Sequence, residues 1–182
     1  YKNRSSVATT TTLNCDSCKT IHINLADDLY EDYAETDWDI ENFKIAEKDG
    51  ATMLLGKPKL DIEKASGNNF VITVKKISRG RSPGNARKMA EDIIYTFEER
   101  DSSLIFDPYF VIGNNQKWRN QEVEISVKIP ENKAVFLDEK MSAIIYDIEN
   151  VTNTWDKDMV GKTWVMKPEG LTLLKDTLQV TN

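Results

Sequence analysis

The chain has one histidine, His22, and two cysteines, Cys15 and Cys18, in 182 residues. Scarce histidine removes the commonest general base and the commonest metal ligand from all but one position, and with them the hydrolases that work through a Ser-His-Asp triad. Scarce cysteine leaves a metal site at most three ligands, Cys15, Cys18 and His22, one short of a closed zinc site, so no metal or other cofactor is expected. Because Cys15-Asp16-Ser17-Cys18 lies outside a strand-helix-strand setting, a redox motif is a poor reading of it. Two partly exposed thiols or a local disulfide is the simpler one. No apolar run approaches the length of a membrane span. Positive charge is also short, 24 Lys and Arg against 30 Asp and Glu for a formal net charge of -6. Such a field repels a phosphate backbone, which excludes nucleic acid as the expected partner.

What is present describes a globular protein: 40% hydrophobic and 30% charged residues, on a chain long enough for one core without staples. Residues 1–19 begin with small polar side chains, four consecutive threonines among them, and predict a flexible tether. Residues 20–182 are then a single β-rich domain. A start at Tyr1, with neither methionine nor signal peptide, reads as a fragment of something longer.

The strongest pattern lies between Trp118 and Met166, where short runs follow one another without a catalytic set. Val123, Ile125, Val127 and Ile129 alternate with Glu124, Ser126 and Lys128, which buries one face of an extended chain and wets the other. Pro130 ends that ladder. The same alternation at Ile21, Ile23 and Leu25 puts His22 on the outer face. Leu60 with Ile62, and Phe70, Ile72 and Val74, point inward from two runs joined by Ser66-Gly67-Asn68-Asn69, which predicts a hairpin or successive solenoid edges. Residues 94–97 and 104–106 flank a charged turn and read as a second hairpin, with β character continuing over 109–112. Residues 134–137, 143–148 and 163–166 complete the series, spaced like a coil of strands. Four tryptophans and six tyrosines suffice to anchor the core, and their scatter forms no evident sugar-stacking platform.

One helix is predicted, near residues 82–93. Ser82 caps it, Pro83 occupies the first turn at no cost in hydrogen bonds, and Ala86, Met89, Ala90 and Ile93 make a narrow apolar stripe. Gly80 and Gly84 lack the spacing and the following lysine of a phosphate loop. Around this helix Lys75, Lys76, Arg79, Arg81, Arg87 and Lys88 form the one basic concentration, which with Trp118 and Arg119 is the expected interaction surface.

The acidic stretch containing Asp27, Asp28, Glu31, Asp32, Glu35, Asp37, Asp39 and Glu41 fails the calcium-loop template, since counting from Asp37 places Asn42 and Lys48 at the positions that need glycine and glutamate. It reads as a solvated face with Leu29, Tyr30, Tyr33, Trp38 and Ile40 packed inward. Asp37 with Asp39, or Asp156 with Asp158, would share a strand face and offer a carboxylate pair to a glycan, although such pairs are common in solvated turns. Asn3-Arg4-Ser5 and Asn150-Val151-Thr152 match the glycan-acceptor pattern, which matters only in a host that has the machinery. The fold class is therefore all-β with one short helix, as a solenoid-like or stacked-sheet architecture, with a β-sandwich as the alternative.

Gly80-Arg81-Ser82, then ARKMAEDIIYTFEERDSSLIFDPYFVIG, KWRNQEVEISVKIPENKAVFLDE, IYDIENVTNTWD and DMVGKTWVM resemble the C-terminal region of PspC-domain (phage shock protein C type) envelope proteins of Gram-negative bacteria. The resemblance covers residues 57–170. It implies a soluble region following an N-terminal PspC module and transmembrane helices, on the extracytoplasmic (periplasmic) side of the inner membrane, similar in style to adhesin-type domains of right-handed β-solenoid-like fold and without catalytic residues. Where relatives close with a cysteine-containing tail, this chain continues as Leu171-Thr172-Leu173-Leu174-Lys175-Asp176. The expectation is a non-enzymatic sensor or interaction domain of an envelope-stress protein, its partner an envelope protein. The alternative is an adhesin-like module that self-associates or binds surface ligands.

Overall fold

The computed structural model describes residues 1–31, 34–40, 43–113 and 116–175. It is mostly β, in several open sheets. The first sheet has the order β1 (Asn3–Thr12), β7 (Val71–Gly80), β11 (Glu122–Ile129), β6 (Lys59–Lys64). The second runs β14 (Gly170–Leu173), β13 (Lys162–Lys167), β12 (Ala134–Leu137), β2 (Thr20–Leu25), β9 (Ser103–Phe106), β8 (Phe97–Arg100). The third is an antiparallel meander of β3 (Ala34–Ile40), β4 (Phe43–Lys48) and β5 (Ala51–Gly56), with β10 (Phe110–Ile112) added beside β5.

Alternation decides which face each strand buries. Val123, Ile125, Val127 and Ile129 of β11 are buried while Glu124 is exposed, each apolar side chain contributing about 1.5–3 kcal/mol on leaving water. Leu60 and Ile62, Ile72 and Val74, and from the second sheet Ile21, Ile23, Leu104, Phe106, Val135, Leu137, Trp164, Met166 and Leu171 join them in one apolar cluster. Both sheets thus serve a single core. Phe43 and Leu54 of the third sheet pack against its edge. His22 is exposed, as the alternation requires, with its ring 5.5 Å from that of Phe136.

The tether expected for residues 1–19 is not what the first residues form. Residues 3–12 pair antiparallel with β7 from Asn3 opposite Gly80 to Thr12 opposite Val71. The threonines have little to bury, but β-branched residues favour extended backbone, and the edge of β7 supplies the partners that an isolated reading of their polarity leaves out. Nor do β6 and β7 form a hairpin. β11 lies between them, antiparallel to β7 and parallel to β6, and the link crosses the end of β11 where the Ala65 N–H donates to the Ile129 carbonyl. Local composition locates a turn without saying which distant strand enters the gap.

The helix α1 (Pro83–Glu91) starts as expected, the Ser82 hydroxyl accepting the Asn85 N–H at 3.1 Å, and Ala86, Ala90 and Ile93 are buried. Two helical pieces were not foreseen. Residues 139–143 are a 3₁₀ turn and Asp156–Met159 a one-turn helix, α2. The expected strand over 143–148 reduces to a single parallel bridge between Ile145 and Leu60. Asp138 explains the change, because its carboxylate accepts the Lys140 N–H at 2.9 Å and starts a turn. Leu29, expected inside, is 79% exposed. Tyr33 lies outside the described residues.

Candidate interaction surface

The basic residues singled out by sequence do not converge. On β7, Lys75 stands opposite Glu124 and its neighbour Lys76 opposite Val123, so consecutive side chains leave by opposite faces. Arg87 and Lys88 are paired along α1 with Glu91 at 3.1 Å and Asp92 at 2.5 Å. Arg81 is exposed between strand and helix. Only Arg79 and Arg119 meet, through an Arg79 N–H to Arg119 carbonyl bond of 3.0 Å. The Arg119 guanidinium sits 4.0 Å over the Tyr1 ring, and Trp118 lies edge-on to Phe43 with ring centres 5.8 Å apart.

Cys15 and Cys18 form a disulfide, which removes both from any ligand set. Among the described residues no three His, Cys, Asp or Glu side chains are grouped to hold a metal ion. Asp156 and Asp158 fall in α2 rather than on a strand, where two positions apart means different faces. Asp156 is also committed, its carboxylate accepting the N–H groups of Asp147 at 2.7 Å and Ile148 at 3.0 Å. The side chains of Asp37 and Asp39, like those of Trp38 and Ile40, lie outside what is described.

A concavity of about 840 Å³, unforeseen by sequence, is lined by residues 146–150, 153–156 and 169–170. Its far wall is the turn between β13 and β14. A second of about 370 Å³ shares Tyr146 and Asp147 with it and continues over Asp61, Glu63, Thr73, Lys75 and Glu124. The segment between them is fastened to the first sheet: the Leu60 N–H donates to the Ile144 carbonyl at 2.8 Å and the Tyr146 N–H to the Leu60 carbonyl at 2.9 Å.

Asn150 organises the near wall. Its amide nitrogen donates to the carbonyls of Ile148 at 3.3 Å and Thr154 at 2.8 Å, while its oxygen accepts the Thr154 N–H at 2.7 Å. The Val151 N–H reaches the Leu171 carbonyl at 2.9 Å. Asp147 and Asn153 take left-handed backbone (φ 51° and 52°) to turn the chain, conformations that Asn and Asp tolerate best after glycine. Ile148 and Met159 are buried below. The result is a held loop that leaves Trp155 77% and Tyr146 56% exposed. Two aromatics scattered in sequence therefore share one hollow, with Asp147, Glu149, Asp156 and Glu169 around them and no Lys, Arg or His in its lining.

One carboxyl of the adjoining hollow, Asp61, is hard to ionise. Burial raises the Asp61 carboxyl from 3.8 to about 6, with repulsion from Glu63, Glu149 and Asp147 adding to it and the Ile62 N–H working against it. A carboxyl that is harder to ionise folded than unfolded gives its full stability below pH 3.8 and loses it as pH rises through about 6. Asp61→Asn keeps an oxygen for the Ile62 N–H, and raises the unfolding free energy at about pH 8 by about 1 kcal/mol once solvent screening of this half-exposed group is allowed for. Near pH 3.5 the gain vanishes. Denaturant titrations of both proteins at the two pH values check this, and an equal gain at both would remove the charge explanation.

The family Toast-rack_PspC-Cterm, described as ToastRack found in some PspC, matches residues 44–177. Nothing matches among curated proteins or solved structures. The matched stretch contains the whole concavity and the residues that fasten it. It omits β1 and β2, although β1 pairs with β7 and β2 stands between β12 and β9.

Proposed function

The chain belongs to the toast-rack domain family found in some PspC proteins, and from that membership we propose that it is a non-catalytic, extracytoplasmic sensor or interaction domain of a PspC-type envelope-stress membrane protein. The observation that carries this reading is the held loop with exposed Trp155 and Tyr146, because a fold that spends hydrogen bonds on keeping large aromatics in water is built for contact. The Cys15–Cys18 disulfide supports an oxidising compartment such as the periplasm. The parallel neighbours β9, β2 and β12, and β6 beside β11, support a solenoid-like stacking of strands, with a sandwich as the other arrangement. Arg79 beside Arg119 offers a second contact face.

The test is removal of the domain from its parent. Loss of the induced stress output, with membrane insertion intact and an alkaline phosphatase fusion active outside the cytoplasm, is the expected result. Unchanged output overturns the proposal. The other reading, an adhesin-like module that self-associates, draws on the open sheet edges. A stable oligomer in light scattering favours it and a monomer at high concentration removes it.

A further inference from the structure

We propose that the hollow between Tyr146 and Glu169 is the docking site for an extended, Lys- or Arg-bearing peptide segment of a partner protein, an inference that rests on the interaction role above and names its ligand chemistry. Complementarity is the first argument. The lining presents Asp147, Glu149, Asp156 and Glu169 without a basic side chain, in a low-lying surface where like charge accumulates and attracts a cationic partner. The adjoining hollow continues the character with Asp61, Glu63 and Glu124, against Lys59 and Lys75.

The aromatic rings are the second. Tyr146 already receives a cation from its own chain, the Lys59 ammonium standing 4.6 Å from its ring centre, so the ring left for an incoming cation is that of Trp155. Trp155, the better ring for that interaction, is the more exposed of the two. Val151, 46% exposed nearby in the chain, adds apolar surface for the stems of long basic side chains.

Shape and rigidity are the third. A single metal ion is a poor fit, since Asp156 is spent on backbone N–H groups and no metal-holding group exists among the described residues. Spaced carboxylates along two connected hollows suit spaced cations on a chain. Because Asn150 and Asp156 fix the loop beforehand, little ordering entropy opposes binding.

The experiment uses the 182-residue chain with fluorescein-labelled decapeptides alternating serine with lysine, arginine or glutamate, and chitotetraose as a neutral sugar. The lysine and arginine peptides are expected to bind, quench tryptophan emission and weaken with added salt, while the glutamate peptide and the sugar do not. Trp155→Ala weakens binding about tenfold, as does the pair Glu149→Gln with Glu169→Gln, whereas Glu98→Gln on β8 changes nothing. All three variants melt with the parent, so lost binding is not lost folding. Basic peptides that bind equally well to Trp155→Ala, or a sugar that binds in their place, overturn the inference. So does a concentration-dependent dimer that Trp155→Ala abolishes and that no basic peptide displaces. In the parent protein, stress output that survives Trp155→Ala but not removal of the domain overturns the docking site alone. Output that survives both overturns the wider reading.

Discussion

Trp164→Ala is expected to lower the unfolding free energy by about 3–5 kcal/mol, which is a large part of what a domain of this size has. Trp164 is fully buried in β13, opposite Val135 of β12 on one side and Leu173 of β14 on the other. Its indole N–H donates to the Met159 carbonyl at 2.9 Å. Alanine therefore leaves a cavity in the cluster and strands a buried acceptor, two costs that add. Trp164→Phe keeps most of the apolar volume and loses the hydrogen bond, for about 1–3 kcal/mol. Trp155→Ala, removing the same side chain from a site 77% exposed, stays within about 0.5 kcal/mol. Guanidinium titrations of the three variants decide the matter. Equal losses at 164 and 155 would mean that the core has been placed in the wrong part of the chain.

Met159 carries the consequence beyond β13. It is buried under the loop that presents Trp155, its carbonyl holds Trp164 and its sulfur lies 3.4 Å from the Asn150 amide nitrogen. Packing at the core and presentation at the surface are coupled through that residue. A partial loss of core order at Trp164 should thus be accompanied by weaker peptide binding, whereas Trp155→Ala weakens binding while the core keeps its stability.

The parts of this arrangement that the sequence makes legible are those fixed by period and by caps. Val123 to Ile129 declare a half-buried strand, and Ser82 with Pro83 declares a helix start, because both signals lie within a few residues. The hollow is illegible for the converse reason: its walls come from residues 146–150, 153–156 and 169–170, with β6 behind, and only long-range pairing joins them. Asn150 shows the difference in one residue. In sequence it heads an Asn-Val-Thr acceptor pattern, whereas in the fold both ends of its amide are consumed by Ile148 and Thr154. The third sheet was hidden differently, its β3 carrying acidic residues that obscure alternation. The basic residues of β7 and α1 are neighbours in sequence and look like a patch there, yet strand alternation and the helical pairs with Glu91 and Asp92 disperse them.

Gly80 sets a limit on how far β7 and α1 can be altered. A Cβ there would stand 2.4 Å from the Ala86 nitrogen and 2.8 Å from the Ala86 Cα, main-chain atoms of α1 that cannot rotate away. The Asn85 side-chain oxygen, 2.7 Å from the same position, closes the space further. The helix is also tied to β1, the Ser5 hydroxyl donating to the Pro83 carbonyl at 3.1 Å and the Asn3 amide to the Arg81 carbonyl at 2.9 Å. Gly80→Val must therefore lift α1 off both strands and uncover Ala86, Ala90, Ile93 and the buried Ser78, at a cost of about 3 kcal/mol. Gly84→Ala is its opposite, since a Cβ there meets nothing within 4 Å and alanine lowers the entropy lost on forming a helix, for a gain of about 0.5 kcal/mol. Thermal melts together with amide exchange over Ala86 to Glu91 separate the two: Gly80→Val should lose protection across α1 and melt early, while Gly84→Ala keeps protection and melts late. A Gly80→Val protein with the parent's midpoint and protection would mean that α1 does not rest on β7 at all, and that the helix reaches its burial by another route.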